Sequence, residues 1–174
     1  MAASPGYVAD YKPFSFVDGE GVRCALYVSG CTLKCPGCFN KVAQSFRYGT
    51  PYSRALQDQI LRDLAHPAVQ GLSLLGGEPF QNAEVCLGLA SRMRDEFGAS
   101  KDLWAWSGYT FEELLGEGGE RLDLLNLCDV LIDGPFVLAE RDLTLRFRGS
   151  RNQRVLDVRA SLDAESVIDY RYNG

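Results

Sequence analysis

Apolar residues along the chain follow two periods, and the alternation between them predicts its elements. Residues 23–30 (RCALYVSG) run β-branched and aromatic into a glycine, the mark of a strand. Leu56, Ile60 and Leu64 then recur every four residues, one face of a helix that stops near His66-Pro67. Residues 72–75 read as a short buried strand closed by Gly76-Gly77. Asn82 can cap a second helix, which carries Val85, Leu89, Met93 and Phe97 on one face and stops at Gly98. Residues 103–106 predict a third strand, closed by Ser107-Gly108. Thr110 and Glu113 match a capping box that opens a third helix, which Gly116, Gly118 and Gly119 interrupt before residues 122–127 resume it. Residues 129–132 (DVLI) predict a fourth strand, followed by Asp133-Gly134. Residues 143–147 and 154–158 read as two further short strands joined by the polar turn at 149–152, and residues 161–174 carry little signal.

Strand, loop and helix repeated four times predict βα units, and so an α/β domain with a mostly parallel sheet and right-handed crossovers. Loops leaving the carboxyl ends of such strands share one rim, where ligands of α/β proteins bind. The Cys31 loop, Gly76-Gly77-Glu78, Ser107-Gly108-Tyr109 and Asp133-Gly134 are therefore expected to meet. A complete eight-stranded barrel takes ~250 residues. This chain has 174, which leaves room for an open, partial (β/α) barrel in a single domain, residues 1–174.

Composition narrows the chemistry. With 18 Lys and Arg against 23 Asp and Glu the net charge is −5, so no basic field holds a nucleic acid or an anionic membrane. No apolar run approaches the ~20 residues of a membrane helix, and the start lacks the apolar block of a secretory signal. A cytoplasmic protein is expected. His66 is the only histidine, and it precedes a proline in a loop, which removes His-rich zinc sites and Ser-His-Asp triads. Whatever chemistry this chain performs must come from cysteine or from a cofactor.

Six cysteines are too few for a disulfide scaffold, so their placement matters. Cys24, Cys86 and Cys128 stand alone, as small buried apolar residues do. Cys31, Cys35 and Cys38 form CxxxCxxC directly after the first strand. Three thiolates on so short a loop can cap one face of a 4Fe-4S cube and leave one iron open to an outside ligand. The alternatives are a zinc site, which wants a fourth donor that the sequence does not show nearby, and a disulfide, which would leave one thiol over.

CxxxCxxC after a first strand, followed one βα unit later by Gly76-Gly77-Glu78-Pro79, resembles the radical S-adenosylmethionine superfamily. The resemblance implies a full or partial barrel of that type, with the cube on Cys31, Cys35 and Cys38. It also implies S-adenosylmethionine on the open iron, with Gly76, Gly77 and Glu78 at its methionine amino group. Glycines leave backbone carbonyls open to an ammonium, and Glu78 adds an acceptor. The superfamily often places an aromatic residue before the third cysteine, against adenine. Gly37 stands there in this chain, and Phe39, beyond Cys38, takes part of that role. Ser107 is placed to meet ribose or carboxylate.

Several further segments are similar to the family of activating proteins of anaerobic ribonucleoside-triphosphate reductase. They are DGEGVR at 18–23, CPGCFN at 35–40, WSGYT at 106–110, DVLIDGPF at 129–136 and RGSRNQ at 148–153, in order over a core of about 14–158. That resemblance implies reductive cleavage of S-adenosylmethionine to methionine and a 5′-deoxyadenosyl radical, which takes a hydrogen from a glycine of the reductase. The implied partners are that glycyl-radical subunit and a low-potential donor such as flavodoxin or ferredoxin. Alternatives are an activase of pyruvate formate-lyase, against which RGSRNQ and the short chain argue, a small radical enzyme acting on a free heterocycle, as a deazaguanine synthase does, and an inert metal-binding module. Arg146, Arg148, Arg151 and Arg154 read as a solvated face or a receiver of carboxylates. Tyr48, Tyr52 and Tyr109 read as docking or partly buried residues.

Overall fold

The computed structural model describes residues 5–173, so residues 1–4 and 174 of the expected domain lie outside it. The strands are β1 (Tyr7–Ser15), β2 (Val22–Ser29), β3 (Thr50–Pro51), β4 (Val69–Gly76), β5 (Asp102–Trp106), β6 (Val130–Asp133) and β7 (Arg154–Asp157). The helices are α1 (Arg54–Leu64), α2 (Ala83–Phe97), α3 (Phe111–Glu117), α4 (Gly119–Leu127) and α5 (Val158–Ala164). One seven-stranded sheet runs β3-β1-β2-β4-β5-β6-β7 and stays open.

The expected parallel core exists: β2, β4, β5 and β6 pair in parallel. The sheet as a whole is mixed, however, because β1 pairs antiparallel with β2 and β3, and β7 with β6. Only residues 16–21 join β1 to β2, too few for a crossover, so a hairpin is the connection open to them.

The expectation of a strand at 143–147 is corrected. Asp142 Oδ1 accepts from Thr144 N at 2.9 Å and from Thr144 Oγ1 at 2.7 Å, a local turn that competes with a ladder. Phe147 then turns to φ +60°, and the pairing here is a single bridge between Arg141 and Ser150. Residue 158 belongs to α5 rather than to the last strand, since Asp157 Oδ1 caps that helix from Ala160 N at 2.9 Å.

The five helices pack on one face of the sheet in a core that includes Leu26, Leu64, Leu74, Leu89, Leu103 and Leu125. Cys24, Cys86 and Cys128 lie fully buried in it, and burial pushes all three thiols up, Cys128 to about 12. Thr110 and Glu113 form the expected capping box. On the opposite face Trp104, Val130, Ile132 and Val155 make a second cluster with Trp106, Phe147, Tyr170 and Tyr172. Arg23 is buried there, 2.5 Å from Asp102 and over the Trp104 ring. His66 is exposed in its loop, where Nδ1 accepts from Ala68 N. No described helix is long and apolar enough to cross a membrane.

Candidate functional site

The carboxyl ends of β2, β4, β5 and β6 open onto one cavity of about 600 Å³. The loop after β2 brings Cys31, Leu33, Cys35, Cys38 and Phe39 to it. The loop after β4 brings Gly76, Gly77 and Glu78, that after β5 Ser107 and Gly108, and that after β6 Gly134 and Phe136. Parallel strands place their exits on one rim, so segments a hundred residues apart become neighbours.

The base of the cysteine loop is pinned by backbone bonds from Gly30 N to Ala43 O (2.7 Å) and from Cys31 N to Gln44 O (3.1 Å). Beyond that base the chain curls through left-handed Lys34 (φ +50°) and Gly37 (φ +76°), with Cys38 N donating to Cys35 O at 3.0 Å. All three thiols are free, half-buried and on the wall of the same cavity. Burial pushes the Cys31 thiol up, while the N–H groups of Leu33 and Lys34 pull it down. Among the described residues no trio of His, Cys, Asp or Glu converges as a single-ion site does. A 4Fe-4S cube, by contrast, gives each thiolate its own iron and spaces the sulfurs around one face. Three soft thiols facing a shared cavity fit that group.

Gly76 and Gly77 serve the framework as well as the cavity. A Cβ on Gly76, whose φ is +107°, would stand 2.6 Å from Val28 O, and one on Gly77 would stand 2.7 Å from Gly30 O. Their absence lets Gly77 N reach Val28 O at 2.7 Å and Glu78 N reach Gly30 O at 2.9 Å. Asn82 Nδ2 completes the joint by donating to Gly30 O and Glu78 O, so it binds loops together instead of capping α2 with its side chain.

Glu78 is buried and its oxygens are committed. Oε1 accepts from Ser107 Oγ (2.9 Å) and Phe80 N (3.1 Å), and Oε2 from Gly108 N (2.7 Å). Burial lifts its carboxyl to about 7 against the pull of these bonds. Ser107 Oγ, donating to Glu78, also accepts from Tyr109 N at 3.0 Å. Phe39 stands fully exposed at the mouth. Gly37 does not line the cavity; a Cβ there would stand 2.9 Å from Leu138 Cδ1.

Sequence reasoning missed much of the far wall. Phe147, Arg148, Gly149 and Gln153 form it, and Lys12, Asp18 and Tyr27 approach from the β1–β2 hairpin. Gln153 Oε1 accepts from Gly149 N and Ser150 N, its Nε2 donates to Gly134 O, and Asn152 Nδ2 donates to Pro135 O. RGSRNQ is therefore a stitched turn. The arginine cluster divides: Arg154 pairs with Asp133 and Glu112, Arg146 with Glu20, Arg148 faces the cavity and Arg151 is exposed. Asp133, tied to Arg154 and Phe111 N, stands behind the rim. Tyr52 is in the core, Tyr48 is exposed, and Tyr109 Oη accepts from Gln81 Nε2.

A family described as a 4Fe-4S single cluster domain matches residues 17–156. The chain is 43% identical over 153 residues to the anaerobic ribonucleoside-triphosphate reductase-activating protein of Escherichia coli K12, covering 86% of this chain and 97% of that protein. It is 45% identical over 147 residues to the protein of that name from Pasteurella multocida, covering 82% and 92%. Against that of Enterobacteria phage T4 it is 37% identical over 147 residues, covering 82% and 88%. The shared length takes in every strand that opens onto the cavity and the loop that holds its three thiols, and on that ground the chain belongs to the family of anaerobic ribonucleoside-triphosphate reductase-activating proteins, built on a 4Fe-4S single cluster domain.

Proposed function

We propose that this chain activates an anaerobic ribonucleoside-triphosphate reductase by installing a glycyl radical on it, with a 4Fe-4S cluster and S-adenosylmethionine, on a partial barrel of the radical S-adenosylmethionine type. The observation that carries the reading is the meeting of Cys31, Cys35 and Cys38 with Glu78 and Ser107 in one cavity at the strand ends. Cys31, Cys35 and Cys38 would hold the cluster through their thiolates. Cluster and S-adenosylmethionine, when bound, supply one-electron cleavage of a sulfonium and removal of hydrogen from a glycine α-carbon. A volume of about 600 Å³ suits one ligand of that size.

The chain's own residues bind, orient and shield. Glu78 retains lone pairs beyond its three bonds and offers negative charge to the methionine ammonium beside Gly76 and Gly77. Ser107, whose proton goes to Glu78 and which accepts from Tyr109 N, keeps one lone pair on its hydroxyl oxygen for a ribose hydroxyl rather than for a carboxylate. Phe39 meets adenine from the mouth, without Gly37, which does not line the cavity. Trp106, Phe136 and Phe147 line the interior with apolar surface and exclude water. The open mouth admits the partner's glycine, and electrons come from a low-potential flavodoxin or ferredoxin in the cytoplasm, whose reducing conditions keep the cysteines from pairing as disulfides.

Reduced, cluster-loaded protein mixed with S-adenosylmethionine and the reductase should produce a glycyl doublet in paramagnetic resonance, with methionine released. A doublet on pyruvate formate-lyase and none on the reductase would overturn the assignment.

A further inference from the structure

The last residues of the chain approach the cavity from behind. Asp157 N donates to Ile168 O at 2.9 Å and Tyr170 N to Val155 O at 2.8 Å, so the tail runs along β7. Tyr170 and Tyr172 then lie on the face of the sheet that carries no helix. The Tyr170 ring is 5.2 Å from Trp104, and the Tyr172 ring is 5.9 Å from Phe147. Glu20 fastens them there. Its carboxylate, 8% exposed, accepts from Tyr170 Oη (2.9 Å), Asn173 N (3.0 Å), Asn173 Nδ2 (3.2 Å) and Arg146 Nη2 (3.4 Å). The Arg146 guanidinium in turn lies 4.2 Å over Tyr172 and 5.3 Å over Phe147. One acid from the first hairpin thus gathers residues 170–173 and the loop at 141–150.

That gathering bears on Phe147. Its φ of +60° lies in the left-handed region, costly for a bulky side chain and kept only where surroundings enforce it. Trp106 Nε1 donates to Phe147 O at 2.7 Å from the front, and Trp104 meets the ring edge-on at 5.3 Å. Tyr172 and Arg146 close the back. The same backbone turn delivers Phe147 and Arg148 to the cavity wall.

We infer that Glu20 is a positioning residue: by clamping residues 170–173 and Arg146 behind Phe147, it holds Phe147 and Arg148 in the wall of the cavity and so preforms that wall for its ligand. The ligand's identity rests on the reading of this cavity as the S-adenosylmethionine site, whereas the clamp itself does not.

The test uses the full, cluster-loaded chain with Glu20→Gln, which keeps the shape and removes the charge. Amide exchange at Gly149 and Ser150 should quicken roughly ten-fold, and S-adenosylmethionine should bind roughly ten-fold more weakly in equilibrium dialysis, with iron per chain unchanged. In a Phe147→Gly background, where glycine adopts the turn freely, Glu20→Gln should add less than about two-fold to the loss of affinity. Unchanged exchange in folded Glu20→Gln protein, or losses that simply add in the double variant, overturns the clamp. Faster exchange in a protein that binds no S-adenosylmethionine even as wild type supports the clamp and defeats the reading of the ligand instead. Should Glu20→Gln fail to fold, Tyr170→Phe, which removes one donor and keeps the ring, is held to the same exchange criterion.

Discussion

The two sides of the cavity obey opposite rules. Within residues 31–39 the bonds hold the backbone and leave the cysteines without a cysteine partner: Cys31 N donates to Gln44 O and Cys38 N to Cys35 O, Thr32 is tied to Gln81, the N–H groups of Leu33 and Lys34 reach the Cys31 thiol, and Phe39 projects into solvent. From Glu78 to Gln153, by contrast, side chains are committed: Glu78 to three donors, Ser107 to Glu78 and Tyr109, Gln153 to Gly149, Ser150 and Gly134. A loop whose thiols face a cavity without a cysteine partner is able to receive a group, and a wall that gives a cavity its shape uses its polar side chains internally. Substitutions on the first side should therefore cost function without fold, and those on the second should cost both.

The largest effect expected is from Cys35→Ala. It should remove the cluster and all cleavage of S-adenosylmethionine while changing folding stability by no more than about 1 kcal/mol, because the thiol is only half-buried. Iron and sulfide analysis after anaerobic reconstitution, beside urea denaturation of the metal-free chain, measures both. A full complement of iron together with turnover would remove Cys35 from the ligand set.

Next in size is Glu78→Ala, which strands the Ser107 hydroxyl and the N–H groups of Gly108 and Phe80. A loss of about 3 kcal/mol follows from burying donors without an acceptor, and Glu78→Gln should recover part of it. Glu78 also sets a pH dependence. Its carboxyl is raised from 4.5 to about 7 in the fold, so its contribution to stability is fully present below pH 4.5 and lost as pH rises to about 7. The metal-free Glu78→Gln chain should lose that slope when melting temperatures are compared across the window. Parallel profiles for variant and wild type would place the titration elsewhere.

The smallest structural effect is reserved for Phe39→Ala. A fully exposed ring contributes little to folding, and stability should move by less than about 0.5 kcal/mol. Affinity for S-adenosylmethionine should fall several-fold if the ring covers adenine. Equal affinities by dialysis would return that contact to other residues and blur the contrast between the two sides.

Legibility followed locality. The thiol spacing, the helix faces of α1 and α2, the capping box at Thr110 and the four rim loops could be read because each is written within a few neighbouring residues. The antiparallel strand β1 escaped notice because its residues alternate poorly between buried and exposed and include Pro13. Helix α5 escaped as well, although Asp157 offered a capping signal. Gly76 and Gly77 were legible as glycines that close a strand at the rim, but not as the points where one loop rests on another.

What the sequence by itself determined is the spacing of three thiols and the periodicity that puts their loop after a parallel strand, since both depend on short-range order. Tertiary structure alone decided that Glu78 reaches Ser107, that Gln153 sews the far wall to Gly134, and that the patternless tail ends on Glu20. Each of these is a bond between residues far apart in the chain. Only when the sheet has brought them together, and burial has made an unpaired polar group costly, does one particular partner become the favoured one.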